Sequence, residues 1–473
     1  MPLTDVTPDL VQALSGVVPP EVLSPPDAAH LTEPRGRWQG ASTVLLRPRN
    51  AAEVSSILRF ASAHRIGVVP YAGGTGLVGG QVEERRPTVL LSVERMAAVR
   101  DVQGQDNVMV VEAGVILADA QAAAKAADRL FPLSLASEGS ARIGGLLGTT
   151  AGGVQVLRYG NMRDLCLGVE AVLPDGSVVH GLKRLRKDNT GYDLRNLLVG
   201  SEGTLGVITA ACLRLFPRPV EVGTAMVAVP SPAAALALLD AMRDRLGETL
   251  SAFELIHGQG LAFLAETLPD TPQPFATRPK WSVLIEATGG AGAQLEGRLQ
   301  AGLEQALEQD LIEDALVAQN TQQAARFWAV REQIPSANRL IGAVASHDIS
   351  VPVSAVPEFI TRAEALLGAR APTVRINAFG HLGDGNLHYN LFPPPGGDRA
   401  DFADQRLELT GIVHDLVHEM GGSVSAEHGI GRLKTGDLER YGDPAKLAAM
   451  RAIKAALDPQ GIMNPGAVLT PKN

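Results

Sequence analysis

The N-terminal part of the chain alternates short apolar runs with amphipathic stretches. In residues 50–64 the apolar side chains recur every three or four positions behind Asn50, a suitable N-cap, which predicts a helix. An alanine-rich stretch at 116–129 predicts a second helix, and 167–181 predicts a hairpin. Further apolar runs predict buried strands at 42–46, 67–70, 88–92 and 107–114.

The pattern changes after Pro217 and Pro219, which mark a domain boundary. Strands are predicted at 224–229, 250–256, 281–287, 349–353 and 373–379, and helices at 231–246, 292–309, 321–341, 355–369 and 444–457. This order favours antiparallel sheets with helices on one face over a doubly wound sheet. The predicted fold class is therefore α+β.

Composition narrows the class of protein. A chain of 473 residues predicts two or three domains. The net charge of -9 argues against a nucleic-acid partner, and Cys166 and Cys212 form neither a metal motif nor a disulfide scaffold. We find no secretory signal and no apolar run long enough to span a membrane. These features favour a soluble cytoplasmic enzyme.

The segment "VVPYAGGTGLVGG" (68–80) contains, from Gly74, a literal match to the dinucleotide fingerprint. That fingerprint requires a crossover helix after the loop. Glycines at 79 and 80 and Pro87 leave about six residues before the next strand, too few for such a helix. The loop therefore predicts a backbone nest for phosphate and not a nicotinamide site.

Two further glycine-rich segments lie at 137–160 and 200–209. Together with "YGNMRD", "FGHLGDGNLHYN", "SAEHGIG" and "MNPG", the three glycine segments resemble, in order, those of the flavoprotein family typified by vanillyl-alcohol oxidase. The D-lactate, glycolate and D-2-hydroxyglutarate dehydrogenases of that family are the most similar. The resemblance implies a two-subdomain FAD-binding fold plus an antiparallel-sheet substrate (cap) domain.

The resemblance also implies domain limits: an FAD-binding domain at 1–218, a cap domain at 219–427 and a C-terminal segment at 428–473 that packs back on the first domain. The pyrophosphate would lie on residues 73–76 and the isoalloxazine along the second glycine segment. No His or Cys occurs in 65–165, so we expect non-covalent FAD. The expected cofactor-binding residues are Pro70, Ala72, Gly73, Gly74, Thr75, Gly76, Gly79, Gly80, Ser137, Gly139, Ser140, Gly144, Gly145, Thr149, Thr150, Gly152, Gly153, Tyr159, Gly160, Glu202, Gly203, Val207, Ile208 and Asn464.

The segment 375–390 predicts a hairpin with a two-residue turn at Asp384-Gly385. This turn would pair His381 directly with His388, with Cβ atoms roughly 5 Å apart. Asn390 would share their face, and "SAEHGIG" offers the carboxylate of Glu427 as a third ligand. Geometry alone leaves open a metal site or two histidines on a polar sheet face.

By the resemblance, His381, His388 and Glu427 bind a divalent metal, and His428 is the catalytic base. The ligand set makes Zn²⁺ our first choice, with manganese or iron as alternatives. His414 and His418 form a competing helical pair, but they lie away from their helix's apolar stripe and are predicted to be surface residues.

Arg331 matches the family's arginine that holds the substrate carboxylate, and Asn390 is a further expected substrate contact. An alternative is a surface ion pair for Arg331. The 2-hydroxyglutarate enzymes use a threonine and a lysine where this chain has Pro335 and Ser346. The second carboxylate of 2-hydroxyglutarate therefore lacks two expected anchors, which favours another D-2-hydroxy acid.

The predicted activity is FAD-dependent, metal-assisted oxidation of a D-2-hydroxy acid to its 2-oxo acid. The electron acceptor would be a quinone, an electron-transfer flavoprotein or a cytochrome. Two alternatives stay open: a flavin-free metal hydrolase using the His381, His388 and Glu427 cluster, and a non-redox FAD transferase like the ether-lipid synthases. A homodimer and peripheral membrane contact also stay open.

Overall fold

The computed structural model describes residues 2–470, which divide into two compact units. Unit 1 comprises the residues up to Gly153, Gly160–Arg218 and the residues from Glu427 onward. Unit 2 comprises Val154–Tyr159 and Pro219–Ala426. Within residues 2–470, no helix has both the length and the apolar composition needed to cross a membrane.

Strands and helices are numbered in chain order. The strands are β1 (Leu23–Ser24), β2 (Val44–Leu46), β3 (Val68–Tyr71), β4 (Val89–Ser92), β5 (Val99–Gln103), β6 (Val108–Glu112), β7 (Arg129–Leu130), β8 (Cys166–Val172), β9 (Val178–Gly181), β10 (Val207–Arg214), β11 (Phe216–Pro217), β12 (Glu221–Val229), β13 (Leu250–His257), β14 (Trp281–Gly289), β15 (Asp314–Val317), β16 (Ala345–Ser350), β17 (Arg375–His381) and β18 (Asn386–Phe392). The α-helices are α1 (Pro8–Ser15), α2 (Ala28–Leu31), α3 (Ala51–His64), α4 (Leu117–Ala126), α5 (Ile143–Thr149), α6 (Val156–Tyr159), α7 (Met162–Leu165), α8 (Leu194–Leu198), α9 (Pro232–Leu246), α10 (Gly258–Thr267), α11 (Leu295–Glu308), α12 (Thr321–Ile341), α13 (Val356–Arg370), α14 (Arg406–Glu419), α15 (Thr435–Tyr441) and α16 (Pro444–Leu457).

Unit 1 contains a four-stranded sheet of order β1-β2-β4-β3, in which β4 runs parallel to both β2 and β3. Helix α3 begins where the Asn50 side chain accepts from the Glu53 N–H at 3.0 Å. Its apolar stripe packs into the same core cluster as the buried side chains of β2, β3 and β4. The chain between β3 and β4 contains no helix, as the rejection of the nicotinamide fingerprint requires.

A second sheet of unit 1 is antiparallel, with the order β5-β6-β10-β8-β9. Strands β8 and β9 form the predicted hairpin, which turns through Gly176 at a φ of +84°. The Asp175 side chain accepts from the Ser177 N–H at 2.8 Å and closes this turn.

Unit 2 is built on one antiparallel sheet of seven strands, with the order β15-β12-β14-β13-β17-β18-β16. Helices cover both faces, so the expectation of helices on one face is wrong. On one face Arg331 of α12 lies 4.9 Å from the ring centre of Phe379, and on the other Phe359 of α13 lies 5.4 Å from Tyr389. The cause is visible in β14, which is buried at every position and so requires cover on both sides.

Helix α10 has no counterpart among the predicted elements. It begins with Gly258 and contains Gly260, and glycine is a poor helix former. Buried Leu261, Phe263 and Leu264 nevertheless anchor it in the core on the Phe379 face of the sheet. Tertiary packing therefore outweighs the local propensity here.

Candidate active site

Unit 1 contains an open cleft with a cavity volume of about 160 Å³. Its walls are mostly backbone and small side chains from the loop after β3, helix α5 and the residues around β10. A Cβ on Gly73 would lie 2.4 Å from the carbonyl oxygen of Ser140, so the first two glycine segments pack backbone against backbone. This contact explains why glycine is required there.

The structure divides the expected cofactor-binding residues into two sets. Those that line the cleft are Pro70, Ala72, Gly73, Gly74, Thr75, Gly76, Gly80, Gly144, Gly145, Thr149, Glu202, Gly203, Val207, Ile208 and Asn464. His428 also lines it, together with residues not expected from the sequence, among them Tyr71, Gln81, Arg142 and Ser201. Those that do not line it are Gly79, Ser137, Gly139, Ser140, Thr150, Gly152, Gly153, Tyr159 and Gly160.

Several residues of the second set support the fold instead. A Cβ on Gly153 would lie 2.1 Å from the carbonyl oxygen of Ser134, and one on Gly160 would lie 2.5 Å from Asp164. Tyr159 belongs to unit 2, where it is buried. Glycine content by itself does not distinguish these packing positions from ligand-facing ones.

Two partly buried charged residues hydrogen-bond to backbone groups in and beside the loop that carries His428. Glu202 accepts from the backbone N–H groups of Ile430 and Gly431 at 2.8 and 2.7 Å. Burial raises the pKa of Glu202, against the opposing effect of these two hydrogen bonds. Arg432 donates to the carbonyl oxygens of Gly79 and Gly80 at 2.9 and 3.0 Å and joins this loop to the first glycine segment.

Arg432 was missed by the sequence analysis. Burial lowers the pKa of Arg432. The available signal was an arginine that directly follows "SAEHGIG", a segment already assigned to the site. Asn464 connects the same two glycine-rich segments, because its Nδ2 donates to the carbonyl oxygens of Gly80 and Glu202 at 3.0 and 2.8 Å.

In unit 2 the histidine hairpin has a different register from the predicted one. His388 pairs with Phe379 and not with His381, and the turn comprises the four residues 382–385. The Asp384 carboxylate accepts from the Asn386 N–H at 3.0 Å, and the Gly385 N–H donates to the His381 carbonyl at 3.1 Å, which together hold this wider turn. The predicted two-residue turn is therefore wrong.

The two histidines still share one face, because the register shifts by two residues and side chains alternate with a period of two. Their ring centres lie 5.9 Å apart. Glu427 directly follows Ala426, the last residue of unit 2, whose N–H donates to the Asp348 carbonyl at 3.3 Å. Candidate ligand atoms of His381, His388 and Glu427 all lie within 4.8 Å of one another, a spacing that fits one metal ion.

Each histidine of this cluster has a buried carboxylate next to its Nδ1. Glu254 Oε1 lies 2.6 Å from Nδ1 of His381, and Asp348 Oδ1 lies 3.8 Å from Nδ1 of His388. A carboxylate at hydrogen-bond distance from Nδ1, as Glu254 is at His381, orients a metal-ligating histidine and leaves Nε2 for the metal. The 3.8 Å between Asp348 and His388 is too long for such a hydrogen bond. The sequence analysis missed both, although a lone acidic residue inside the apolar strand "LSAFELIH" was a usable signal.

Arg331 is 5 % exposed, so the alternative of a surface ion pair is wrong. Its Nε donates to Glu254 Oε2 at 2.7 Å, and no described residue accepts a hydrogen bond from its Nη1 or Nη2. Burial opposes the charge on Glu254, but His381 and Arg331 outweigh it and hold the pKa of Glu254 at about 2. The buried guanidinium therefore presents two donor groups that fit an anion.

The nearest strand neighbours of Ser346 on its own face of the sheet are amides and one carboxylate. Ser346 is exposed and pairs with Asn390 across the strands, while Asp348 lies on the same face. Asn390 Oδ1 accepts from the His347 N–H at 3.2 Å, and no described residue hydrogen-bonds its Nδ2. The His347 side chain points to the opposite face, where its ring contacts His414 at 5.4 Å.

The two histidines of the competing helical pair, His414 and His418, differ in burial. His418 is exposed as predicted, but His414 is buried, so the surface expectation is wrong for it. Helix α14 packs against β16, where the ring of His414 contacts that of His347. This contact buries a face of α14 that lies outside the helix's apolar stripe. Among the described residues, the His381, His388 and Glu427 cluster is the one group with metal-ligand spacing.

A family model described as FAD linked oxidases, C-terminal domain, matches residues 218–468. A second model, described as FAD binding domain, matches residues 42–181. This chain belongs to the FAD-linked oxidase family. FAD is therefore its cofactor, and the glycine-walled cleft of unit 1 provides the backbone surface that such a cofactor needs.

Curated relatives of this FAD-linked oxidase include D-2-hydroxyglutarate dehydrogenases. The mitochondrial enzyme of Arabidopsis thaliana is 37% identical over 92% of this chain and 76% of its own length. The enzyme of Stutzerimonas stutzeri is 34% identical over 98% of this chain and 99% of its own.

Solved structures share the fold at lower identity. Substrate-bound p-cresol methylhydroxylase superposes with a TM-score of 0.76 at 15% identity, over 98% of this chain and 96% of that one. Alkyldihydroxyacetonephosphate synthase gives a TM-score of 0.73 at 17% identity, over 98% and 86%. The predicted vanillyl-alcohol oxidase type of fold is confirmed.

We expect Gly73→Ala to reduce the FAD content of the purified protein, because the new Cβ would separate the first two glycine segments. Overpacking of this kind costs roughly 1–3 kcal/mol. Flavin absorbance relative to protein absorbance measures the effect. Gly139→Ala is the matched control, since no heavy atom lies within 4 Å of its added Cβ. Equal FAD content in both variants would contradict the close approach.

Proposed function

We propose that this FAD-linked oxidase oxidises a D-2-hydroxy acid to the 2-oxo acid with the help of a divalent metal. The observation that carries the proposal is the shared carboxylate of Glu254, which holds Arg331 on one oxygen and His381 on the other. In a 2-hydroxy acid the carboxylate and the hydroxyl are on adjacent carbons. Glu254 brings an anion anchor and a candidate metal ligand to one carboxylate, as a substrate with adjacent carboxylate and hydroxyl groups would require.

The chain's own residues supply binding and proton transfer. Arg331 would hold the carboxylate through Nη1 and Nη2, and Asn390 would donate to the substrate from Nδ2. His428 would take the hydroxyl proton, and its position is fixed by the hydrogen bonds of Glu202 to the residues that follow it. FAD, when bound, supplies the hydride acceptor. Non-covalent attachment is part of the proposal, because His428 is the only His or Cys among the residues that line the cleft.

The metal would be held by His381, His388 and Glu427, with Zn²⁺ as the first choice because the set is two imidazoles and one carboxylate. It would act as a Lewis acid on the hydroxyl oxygen. Glu254 supports the fit, since its Oε1 lies 2.6 Å from Nδ1 of His381. The FAD binding domain argues against a flavin-free hydrolase.

The substrate proposed here has one carboxylate. The strand neighbours of exposed Ser346 on its face of the sheet are Asn390 opposite it, Asn377 on the next strand and Asp348 on its own strand. A second substrate carboxylate would therefore find no cation there. The relatives named above act on D-2-hydroxyglutarate by their names, so this chain would differ from them at the far end of the substrate.

Electrons would leave to a quinone, an electron-transfer flavoprotein or a cytochrome, because the first glycine segment lacks the crossover helix of a nicotinamide site. The alternative of a non-redox FAD transferase receives no separate support. The similarity to alkyldihydroxyacetonephosphate synthase, at 17% identity, concerns the fold alone. Cytoplasmic location and a homodimer stay predictions.

We expect metal chelation and His388→Ala to abolish turnover of D-lactate in a dye-coupled assay while FAD stays bound. The physical reason is that both histidines belong to unit 2, whereas the glycine-walled cleft belongs to unit 1. His418→Ala is the control, because His418 is exposed on α14. Active enzyme that contains no metal by elemental analysis would refute the role of the cluster.

We expect Arg331→Ala to lower kcat/KM by about 10²–10³-fold, since losing one partner of a buried ion pair costs roughly 3–5 kcal/mol. Arg331→Lys should recover part of the loss, because an ammonium cannot form the planar fork. Arg339→Ala, an exposed arginine on the same helix, provides the control. Wild-type kinetics in Arg331→Ala would exclude this residue as the anchor.

We expect the wild-type enzyme to prefer D-lactate or D-2-hydroxybutyrate over D-malate and D-2-hydroxyglutarate. Ser346→Lys should move the preference toward D-2-hydroxyglutarate by roughly tenfold or more, as one charge-assisted hydrogen bond of about 1.5–3 kcal/mol allows. Ser346→Met is the control for side-chain length without charge. A strong wild-type preference for D-2-hydroxyglutarate would show that another group binds the second carboxylate.

A further inference from the structure

Glu254 makes two charge-assisted hydrogen bonds, one through each carboxylate oxygen. Oε1 lies 2.6 Å from Nδ1 of His381, and Oε2 accepts from Nε of Arg331 at 2.7 Å. The residue is 1 % exposed, and no other described residue hydrogen-bonds its carboxylate. One buried negative charge is therefore shared between a metal ligand and the arginine that presents free donors.

This sharing fixes the orientation of both partners. With Nδ1–H of His381 donating to Oε1, Nε2 is the nitrogen that a metal would use. With Nε of Arg331 occupied by Oε2, the two terminal nitrogens are those that a carboxylate would meet. Rotation of either side chain would leave part of a buried carboxylate without a partner, which is costly.

We propose that Glu254 is a positioning residue that couples metal binding to carboxylate binding, an inference that rests on the proposed function. A metal on His381 makes its Nδ1–H a stronger donor and draws the charge of Glu254 toward Oε1. Arg331 is then less neutralised and attracts a substrate carboxylate more strongly. The effect is reciprocal by thermodynamic linkage: a bound carboxylate competes for Arg331, leaves more of the Glu254 charge on His381 and strengthens its hold on the metal.

The test uses Glu254→Gln in the full-length, FAD-bound protein. A glutamine side chain has one oxygen and one NH₂ group, so it can accept from His381 or from Arg331 but not from both. After chelation, Zn²⁺ affinity is measured by calorimetry with and without propionate. Propionate affinity is measured with and without Zn²⁺. Propionate has the carboxylate but lacks the 2-oxygen through which a substrate would chelate the metal.

In the wild-type protein we expect Zn²⁺ and propionate to tighten each other's binding by an equal factor. In Glu254→Gln, Zn²⁺ affinity should fall by roughly 10–100-fold, as for other residues that support metal ligands, and the mutual effect should disappear. Asp348→Asn is the matched control, because Asp348 lies beside His388 and makes no hydrogen bond to Arg331. There Zn²⁺ affinity should fall while the mutual effect persists.

If Glu254→Gln fails to fold with FAD, Arg331→Lys answers the same question. Its Zn²⁺ affinity should stay near the wild-type value, and the tightening by propionate should be lost. Equal coupling in wild type and Glu254→Gln, or none in the wild type, would overturn the inference. If coupling behaves as expected but no D-2-hydroxy acid is oxidised, the proposed function is wrong while the role of Glu254 stands.

Discussion

A single buried carboxylate holds the side chains of His381 and Arg331 in unit 2. Glu254 lies on β13, the middle strand of the seven, and pairs with His381 on β17. Only the pairs from Glu254 to Ile256 join β13 to β17, so this residue lies where the two halves of the sheet meet. Its charge is tolerated in the core because Arg331 and His381 compensate it. The register of the sheet and the geometry of the site therefore depend on the same contact.

Unit 1 is subject to a different physical constraint: its backbone must approach a large cofactor closely. Its glycine segments approach one another too closely for a Cβ, as at Gly73 and Ser140. Such loops have little side-chain packing to hold them. Partly buried Glu202 and Arg432 replace that packing with hydrogen bonds to backbone groups of neighbouring loops. Two charged side chains thus hold the glycine-rich backbone around the cleft.

The site could be predicted in its residue types more than in its geometry. The sequence placed His381 and His388 on one face, yet the register was wrong because the Asp384 side chain and two backbone donors favour a wider turn. Both histidines still lie on the predicted face, because side chains alternate with a period of two and the register error is two residues. Glu254 and Asp348 were missed because their partners are distant in sequence. An acid inside an apolar strand, such as Glu254, indicates a buried charge, but the local sequence does not name the partners that compensate it.

The sequence by itself determined the class of the fold, the family, most strands and most of the longer helices, because periodicity and glycine spacing are local properties. The failed nicotinamide fingerprint was also readable locally, since chain length alone forbids a helix before β4. Only the tertiary structure decided which glycines face the cleft, that helices cover both faces of the seven-stranded sheet, and that His414 is buried. These outcomes depend on which surfaces come together across distant parts of the chain. Burial and charge compensation decide them, and neither is encoded within one segment.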